Sequence, residues 1–485
     1  MSAFRLHTLK QKLWAIVAAS IVARICIFVF LPNKPLSIST DEYAYAPLTE
    51  MAASGSLDQQ DIYFQNLYKY SRTLIIPASL LYRAGVNPIE AIRVISNLYG
   101  LASLVLVVLV ALKIVQKKEV ETTKKYFFEN LTFLAVLLYA FFPSHFMWSV
   151  VGYRESANEF WLMSVFVFTY AFFLLDSRRK FLIAFLLAMS ITFVFSSRQQ
   201  VGLLVIVTLL ITSLFRIRER LISLFLLTII VGSTVGYIST SSVSFVTKDL
   251  YSAKEIIEPV PTKEPVPTKE PASTPKSQDE LVASKFCKVT GGVIEVEGKS
   301  FECLKLESRR GIEGLKNPRS IAIENLELIS LKQELNQMNA ESRIQTLNCP
   351  FESEELLNKT ACLVWRAPYT SITFLFRPLL FIDTGSFTSY FAAVENVLWI
   401  IGFSILLYRL VSKRDLKLSS RLLPATIFLT LYVVAAGAYQ GNMGTAFRHK
   451  SLILWIVLLL IYSTLSSMSG LNRDKHGINS QESAV

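Results

Sequence analysis

Charge is scarce in this sequence. Only 18% of its 485 residues are Asp, Glu, Lys or Arg, whereas 52% are hydrophobic. Such a composition is too apolar for an ordinary soluble protein of this length. Several runs of about 18 or more residues hold few charges, and each run is long enough to cross a hydrocarbon core of roughly 30 Å. The sequence therefore predicts a polytopic membrane protein.

The formal net charge is +12, but the basic residues are not concentrated in one domain. The Lys and Arg residues lie in short clusters between apolar runs, which is typical of topology signals. We therefore expect membrane lipids, and not nucleic acid, as partners of this chain.

Cysteine is rare, and four of the five cysteines fall in one polar segment: Cys287, Cys303, Cys349 and Cys362. Such clustering predicts two disulfides in an oxidising compartment. Three pairings are possible, and short loops favour Cys287–Cys303 with Cys349–Cys362. Zinc is the less favoured alternative, because the segment has neither a CxxC motif nor a histidine.

Hydropathy predicts about ten transmembrane helices, centred in 13–31, 92–115, 127–142, 160–175, 181–195, 201–215, 221–238, 390–410, 422–439 and 451–467. Basic clusters alternate with sparsely basic loops, so that the positive-inside rule puts both termini in the cytoplasm. The first run has a basic leader but no small-x-small cleavage site, which predicts an uncleaved anchor. We expect a multi-pass protein of the cell (plasma) membrane.

The predicted domains follow from this topology. They are an N-terminal membrane module at 1–238 with a first outer loop at 33–73, an extracytoplasmic insert at 239–374, C-terminal membrane helices at 375–470 and a cytoplasmic tail at 471–485. The insert begins with a Pro-rich repeat, 258–271, that favours an extended linker. Strand-like "GGVIEVEGKSFECLKL" and helix-like "SIAIENLELISLKQELNQM" follow. The predicted fold is thus all-α in the membrane, with a small disulfide-stapled α+β insert.

Unusual polar residues collect beside the spans on the predicted outer side. They are Asp41, Glu42 and Arg72 in the first outer loop, Arg154 and Glu155 in the second, Arg198 and Gln199 in the third, Arg377 after the insert, and Asn442, Arg448 and His449 in the last. Any single arginine could be an interfacial anchor. Charges at a membrane edge are costly, however, and are usually kept for function. We therefore predict that they share one site.

Carboxylates and arginines on one face suit phosphate chemistry. Arginines hold a phosphate or pyrophosphate by forked, charge-assisted hydrogen bonds. A carboxylate can take a proton from an attacking hydroxyl. A phosphate at the membrane edge indicates a polyprenyl-phosphate that carries a sugar, with its lipid tail against the spans.

The stretch "TDEYAYAPLTEMAASG", 40–55, resembles the first outer loop of GT-C-fold glycosyltransferases, especially the aminoarabinose transferase and protein mannosyltransferase branch. "LIIPASLLYRAGVNPIEAIRVISNLYGL", 74–101, resembles that family's run into its second span. The resemblance implies a GT-C-like fold and transfer of a sugar from a polyprenyl-phosphate donor to a glycan, lipid or protein acceptor on the outer face. It also implies that Asp41, with Glu42 beside it, acts as a base or holds a divalent metal such as Mg or Mn.

Two other functions remain open at this stage. An O-antigen-type polymerase or ligase would also use outer arginines, but with a pyrophosphate-linked donor. A lipid-glycan transporter or flippase would place polar groups through the membrane centre. The acidic pair itself has a simpler alternative role, because acids at the start of a helix stabilise it.

Overall fold

The computed structural model describes residues 2–32, 40–56, 62–117, 122–174, 177–216, 222–241, 250–255, 292–296, 299–306, 356–380, 387–412, 422–439 and 443–465. The chain divides into two compact units, one formed by Met1–Thr240 with Ala367–Val485 and one by Ser241–Arg366. The second unit lies within the predicted insert, 239–374.

Helices make up nearly all of the described membrane part. They are α1 Ser2–Phe30, α2 Thr40–Ser54, α3 Ile62–Arg83, α4 Pro88–Lys117, α5 Thr122–Phe141, α6 Pro143–Val150, α7 Glu155–Leu174, α8 Ser177–Ser197, α9 Gln199–Phe215, α10 Ile222–Ser241, α11 Leu356–Phe376, α12 Phe387–Ser412, α13 Leu423–Tyr439, α14 Met443–Ser451 and α15 Leu454–Leu465.

Local sequence signals explain the turn between α3 and α4. Gly85 has φ of +93° just after α3 ends, and the Val86 N–H donates to the Leu81 carbonyl at 3.1 Å. A glycine in this conformation commonly closes a helix. Helix α4 then begins with proline, and the Asn87 side chain accepts a hydrogen bond from the Ile89 N–H at 3.0 Å, which caps the new helix.

Several helices are long and apolar enough to cross a membrane. Four pass by length and composition, within Thr8–Phe30, Pro88–Val115, Arg179–Ser197 and Tyr390–Tyr408. The pair Tyr126–Phe141 and Pro143–Val150, bent by 43°, gives a fifth if it is one span. These helices indicate a membrane protein.

The prediction of about ten spans is not supported by the described residues. Four of the predicted spans form shorter apolar helices, Gln199–Phe215, Ile222–Gly236, Leu423–Ala438 and Leu454–Leu465. The apolar stretch of each has no more than 17 residues, and in α10 it is the part Ile222–Gly236. At 1.5 Å per residue such a stretch is about 26 Å long at most, which is less than the hydrocarbon core of about 30 Å. Hydropathy alone does not give the length of the apolar helix that each run forms.

The second unit contains a small antiparallel sheet. Its strands are β1 Leu250–Glu255, β2 Gly292–Val296 and β3 Lys299–Leu306, in the order β1-β3-β2. Strands β2 and β3 lie in the segment "GGVIEVEGKSFECLKL", which the sequence predicts to form strands.

The disulfide-stapled form of the insert is not supported by the described residues. Cys287 and Cys349 lie outside them, and each predicted pairing needs one of the two. Cys362 is disulfide-bonded. Cys303 lies in β3, where it faces Ala253 of β1 and Gly292 of β2 in the register of the sheet. The linker 258–271, the helix-like segment 320–338 and the tail 471–485 also lie outside the described residues.

A buried apolar cluster joins α2 to α3 and α4. It includes Tyr45 and Leu48 of α2, Leu74 and Ile75 of α3, and Ile92 of α4. Each of these side chains is less than 9% exposed. This packing fixes the first turn of α2, which carries the acidic pair, against the start of α4.

Candidate functional site

The first turn of α2 meets α14 at an ion pair. Arg448 Nη1 donates to Asp41 Oδ2 at 3.0 Å, and the two residues are 407 positions apart in the chain. Their side chains are 21% and 26% exposed. The Arg448 guanidinium also lies 5.0 Å from the centre of the Tyr153 ring, a cation–π geometry. The structure thus brings two of the predicted site residues into direct contact.

A second ion pair connects α7 with the break between α8 and α9. Arg198 Nη2 donates to Glu155 Oε1 at 2.5 Å, and the Glu155 side chain is only 3% exposed. Arg198 also hydrogen-bonds the His449 ring of α14. Arg198 has an extended backbone between α8 and α9, with φ of −150° and ψ of 92°. The break between these two helices therefore supplies the side chain that links α7 to α14.

The charges of each ion pair also shift the pKa values of the other pair, so that the two pairs form one site. Burial by itself raises the pKa of the Glu155 carboxylate. Arg198, Arg448 and Arg154 outweigh this effect, so that the pKa of Glu155 lies below its usual value. Burial lowers the pKa of Arg448, but the carboxylates of Asp41 and Glu155 raise it above its usual value.

Arg154 belongs to the same electrostatic group. Burial lowers the pKa of this guanidinium, whereas Tyr45, Glu155 and Asp41 raise it, and the net shift is upward. Its Nη1 points to the Tyr70 carbonyl at 3.5 Å.

We call six residues the charge cluster: Asp41, Arg154, Glu155, Arg198, Arg448 and His449. Its three guanidinium groups and two carboxylates give a formal charge of 3 − 2 = +1 when the histidine is counted as neutral. Arginines in excess over carboxylates at one site favour an anionic ligand.

Glu42 has a different environment from Asp41. Arg93 Nε and Nη2 donate to its two carboxylate oxygens at 2.8 and 2.9 Å, and Arg93 Nη1 donates to the Pro32 carbonyl at 2.8 Å. The Arg93 and Glu42 side chains are 1% and 0% exposed. The predicted catalytic role of Glu42 does not fit this geometry, because both oxygens are buried and bound by Arg93. The buried pair ties α2 to α4.

Gly152 lets the chain pass close to that buried pair. It has φ of +71°, a conformation that favours glycine. A Cβ atom at this position would lie 2.9 Å from Ile92 Cγ2 and 3.4 Å from Arg93 Cγ. The close approach leads directly into Tyr153 and Arg154, so Gly152 helps to position two residues at the site.

The remaining predicted residues have separate placements. The Arg72 guanidinium of α3 lies 5.5 Å from the Tyr68 ring centre, and Gln199 is the first residue of α9. The carbonyl of Arg377, after α11, accepts a hydrogen bond from Lys450 Nζ at 2.9 Å. Asn442 lies outside the described residues.

A second buried polar group, which we call the deeper cluster, includes the residue one turn further along α7 than Glu155. It consists of Arg24, Tyr139, His145 and Glu159. Glu159 accepts a hydrogen bond from Tyr139 at 2.8 Å and contacts His145 Nδ1 at 2.8 Å. The Arg24 guanidinium donates to Ser149 at 3.2 Å and lies 4.6 Å from the Phe146 ring centre.

Sequence reasoning left out several of these residues. Glu159 follows Glu155 by four positions, which is one turn further along α7, and that spacing could have revealed it. Arg93 lies within the apolar run predicted as the second span, 92–115, and a charge at such a position could have revealed it. Tyr153 and Lys450 adjoin predicted residues, but nothing in the sequence distinguishes them.

The predicted divalent metal at Asp41 does not fit the residues present. Within the described ranges, no group of three or more His, Cys, Asp or Glu residues could hold a metal ion. The groups around Asp41 are instead guanidinium groups, which repel a cation, whereas Mg²⁺ and Mn²⁺ prefer oxygen ligands.

Two apolar cavities lie elsewhere in the membrane unit. One of about 510 Å³ lies among α4, α5, α7, α13 and α15, and we call it the bundle cavity. The other, of about 360 Å³, lies between α9 and α10. The described residues that line these two cavities include none of the charge cluster.

A scan against models of protein families, a search of curated proteins and a search of solved structures found no match to this chain. The resemblance to GT-C transferases therefore contributes to the function only as a proposal.

Proposed function

We propose that this protein is a membrane glycosyltransferase that moves a sugar from a polyprenyl-phosphate donor to a glycan, lipid or protein acceptor. The observation that carries the proposal is the charge cluster. It gathers two carboxylates, three guanidinium groups and a histidine from α2, the start of α7, the break before α9, and α14.

The arginines of the charge cluster would bind the donor phosphate. Arg448 is the most suitable first contact, because its side chain is 21% exposed and stays charged. Arg154 and Arg198 add positive charge to the same site. An entering phosphate would take over the guanidinium that now pairs with Asp41, which would release the Asp41 carboxylate for chemistry.

Asp41 would then act as a general base. The acceptor hydroxyl oxygen attacks the anomeric carbon of the donor sugar, and Asp41 takes the hydroxyl proton. The bond between the anomeric carbon and the phosphate oxygen breaks, and its electron pair leaves with the polyprenyl phosphate. Arg448 and Arg154 stabilise the charge on that leaving group. Glu155 holds Arg198 in place and takes no proton in this scheme.

The proposed topology puts the charge cluster on the extracytoplasmic side of the cell membrane and both termini in the cytoplasm. Its support is the alternation of basic clusters along the chain. The sugar and acceptor would then be joined outside the cytoplasm.

Binding of the released product tests the phosphate site without knowledge of the sugar. Purified protein in detergent is titrated with polyprenyl monophosphate and, separately, with polyprenyl pyrophosphate. We expect the monophosphate to bind, and Arg448→Gln to weaken binding by about 100-fold. Arg83→Gln is the matched control, because Arg83 is an exposed arginine of α3 that bonds the Ala53 carbonyl at 2.9 Å. Preferential binding of the pyrophosphate would instead favour a polymerase or ligase.

Turnover tests the role of Asp41. Donors are polyprenyl-phosphate-linked mannose and aminoarabinose, and the readout is release of polyprenyl phosphate. Asp41→Asn should bind polyprenyl monophosphate but lower the release rate by about 100-fold or more. Release at the wild-type rate by a folded Asp41→Asn protein would refute the proposed mechanism.

A lipid-glycan transporter is the second candidate, and the deeper cluster favours it. Arg24 lies in a helix that qualifies as a span, and His145 lies in the shorter helix of the bent pair Tyr126–Phe141 and Pro143–Val150. Buried charges along a path are typical of transporters. Movement of a fluorescent polyprenyl-phosphate sugar across vesicles that contain the protein, with no glycosidic product, would support this function over the transferase.

A further inference from the structure

The bundle cavity has the size and lining of a ligand site. Its volume is about 510 Å³, within the range of roughly 300–1,000 Å³ that encloses small ligands. Its walls are mainly apolar, with Ala111, Ala135, Phe166 and Leu458 among them. Apolar cavities stay dry and bind apolar molecules. A hydrocarbon chain is the ligand that such a lining in a membrane protein suits best.

Two polar groups in its wall are left without partners. Thr169 Oγ1 and Trp455 Nε1 are buried and have no hydrogen-bond partner in the part of the chain that the structure describes. Their residues are 2% and 8% exposed, and both line the bundle cavity. A buried donor without an acceptor destabilises the protein. An ester or carboxyl oxygen of a bound lipid would satisfy them.

A positive charge lies at one end of the cavity. Arg216 follows α9 and lines the cavity together with Leu422 and Pro424, which precede and begin α13. Its guanidinium lies 5.3 Å from the Phe173 ring centre. The predicted topology puts this end of α9 at the cytoplasmic surface, where anionic headgroups lie.

We propose that the bundle cavity binds one hydrocarbon chain of an anionic phospholipid, with the phosphate of its headgroup near Arg216. This site is separate from the charge cluster and does not depend on the proposed transferase function. The occupant would stabilise the packing of α4, α5, α7, α13 and α15, because it fills a void that they share.

Native mass spectrometry of the purified full-length protein tests this proposal. The probes are phosphatidylglycerol, phosphatidylcholine with the same acyl chains, and glycerophosphoglycerol, which has the anionic headgroup without chains. We expect wild-type protein to retain phosphatidylglycerol about 5-fold more strongly than phosphatidylcholine, and not to retain glycerophosphoglycerol. Arg216→Gln should abolish the preference. Arg179→Gln is the matched control, since Arg179 is an exposed arginine at the start of α8 that does not line the cavity.

A variant that fills the bundle cavity tests the position of the hydrocarbon chain. Ala135→Phe should lower phosphatidylglycerol retention by about 10-fold, because the phenyl ring takes the space of the chain. If that variant does not fold, the comparison of Arg216→Gln with Arg179→Gln decides alone. Equal retention of the two phospholipids by wild-type protein, or retention of glycerophosphoglycerol, would overturn the proposal. So would equal loss of preference in both arginine variants.

Discussion

Asp41 and Glu42 are neighbours in sequence, yet they have opposite environments. Successive residues on a helix point about 100° apart. Asp41 therefore reaches a partly exposed arginine of α14, whereas Glu42 reaches a fully buried arginine of α4. The resemblance implied that Asp41 acts at the site, with Glu42 beside it. It could not predict Arg93 as the partner of Glu42, because that contact depends on how α2 packs on α4.

The buried environment of Glu42 predicts that its substitution lowers the stability of the protein. Glu42→Gln removes one charge from a buried pair and should lower the free energy of unfolding by about 3–5 kcal/mol, because the Arg93 charge stays buried and loses its carboxylate. Thermal unfolding in detergent measures the loss. Glu50→Gln is the control, since Glu50 is exposed on the same helix. A Glu42→Gln protein as stable as Glu50→Gln would contradict the assigned role.

Glu155 gives a prediction about pH. Its pKa in the folded protein lies below the usual value of 4.5, because the arginines outweigh burial. The ion pair therefore stabilises the folded state above about pH 4.5 and loses this effect as the pH falls through the lowered pKa. We expect Glu155→Gln to have a lower Tm than wild type at pH 7, and the difference to shrink at low pH. A difference that grows on acidification would show that the sign is wrong.

At the scale of elements, a short turn controls the approach of α7 to α2 and α4. Gly152 combines a positive φ with a tight contact, whereas Gly55 has a similar φ of +75° and no atom within 4 Å of the position that a Cβ would take. Gly152→Ala should therefore cost about 2–3 kcal/mol, and Gly55→Ala only about 1 kcal/mol. Thermal unfolding of both proteins separates the cost of the contact with Ile92 from the cost of backbone strain at a positive φ. Equal losses would mean that the contact with Ile92 relaxes freely.

The lengths of the apolar helices are what sequence reasoning missed at this scale. Apolar runs at 181–195 and 201–215 predict two spans, and the structure has two helices there, but α9 is too short to cross. Arg198 separates them, and the sequence placed it in the third outer loop as a site residue. Hydropathy averages over a window of residues, so it does not give the length of each helix.

At the scale of the whole molecule, composition was sufficient to predict a helical membrane protein. Residue types at the predicted membrane edge also indicated all six residues of the charge cluster, because charge is costly there. The span count could not be obtained in the same way, since it depends on helix length and on bends such as that between α5 and α6.

Reporter fusions test the proposed orientation. Alkaline phosphatase needs disulfides and is active only outside the cytoplasm, so a fusion after Arg83 should be active and one after Arg179 inactive. Green fluorescent protein at the same two positions should give the reverse pattern. If alkaline phosphatase is active only after Arg179, the charge cluster faces the cytoplasm.

The ion pair between α2 and α14 has a consequence for biosynthesis. Its two partners are 407 residues apart, and a ribosome that adds roughly 5–20 residues per second needs about 20–80 s between them. A growing chain therefore spends most of its translation with Asp41 already made and its partner still missing. Any product that ends before Arg448, even one that has inserted most of its helices, would lack the contact that joins α2 to α14.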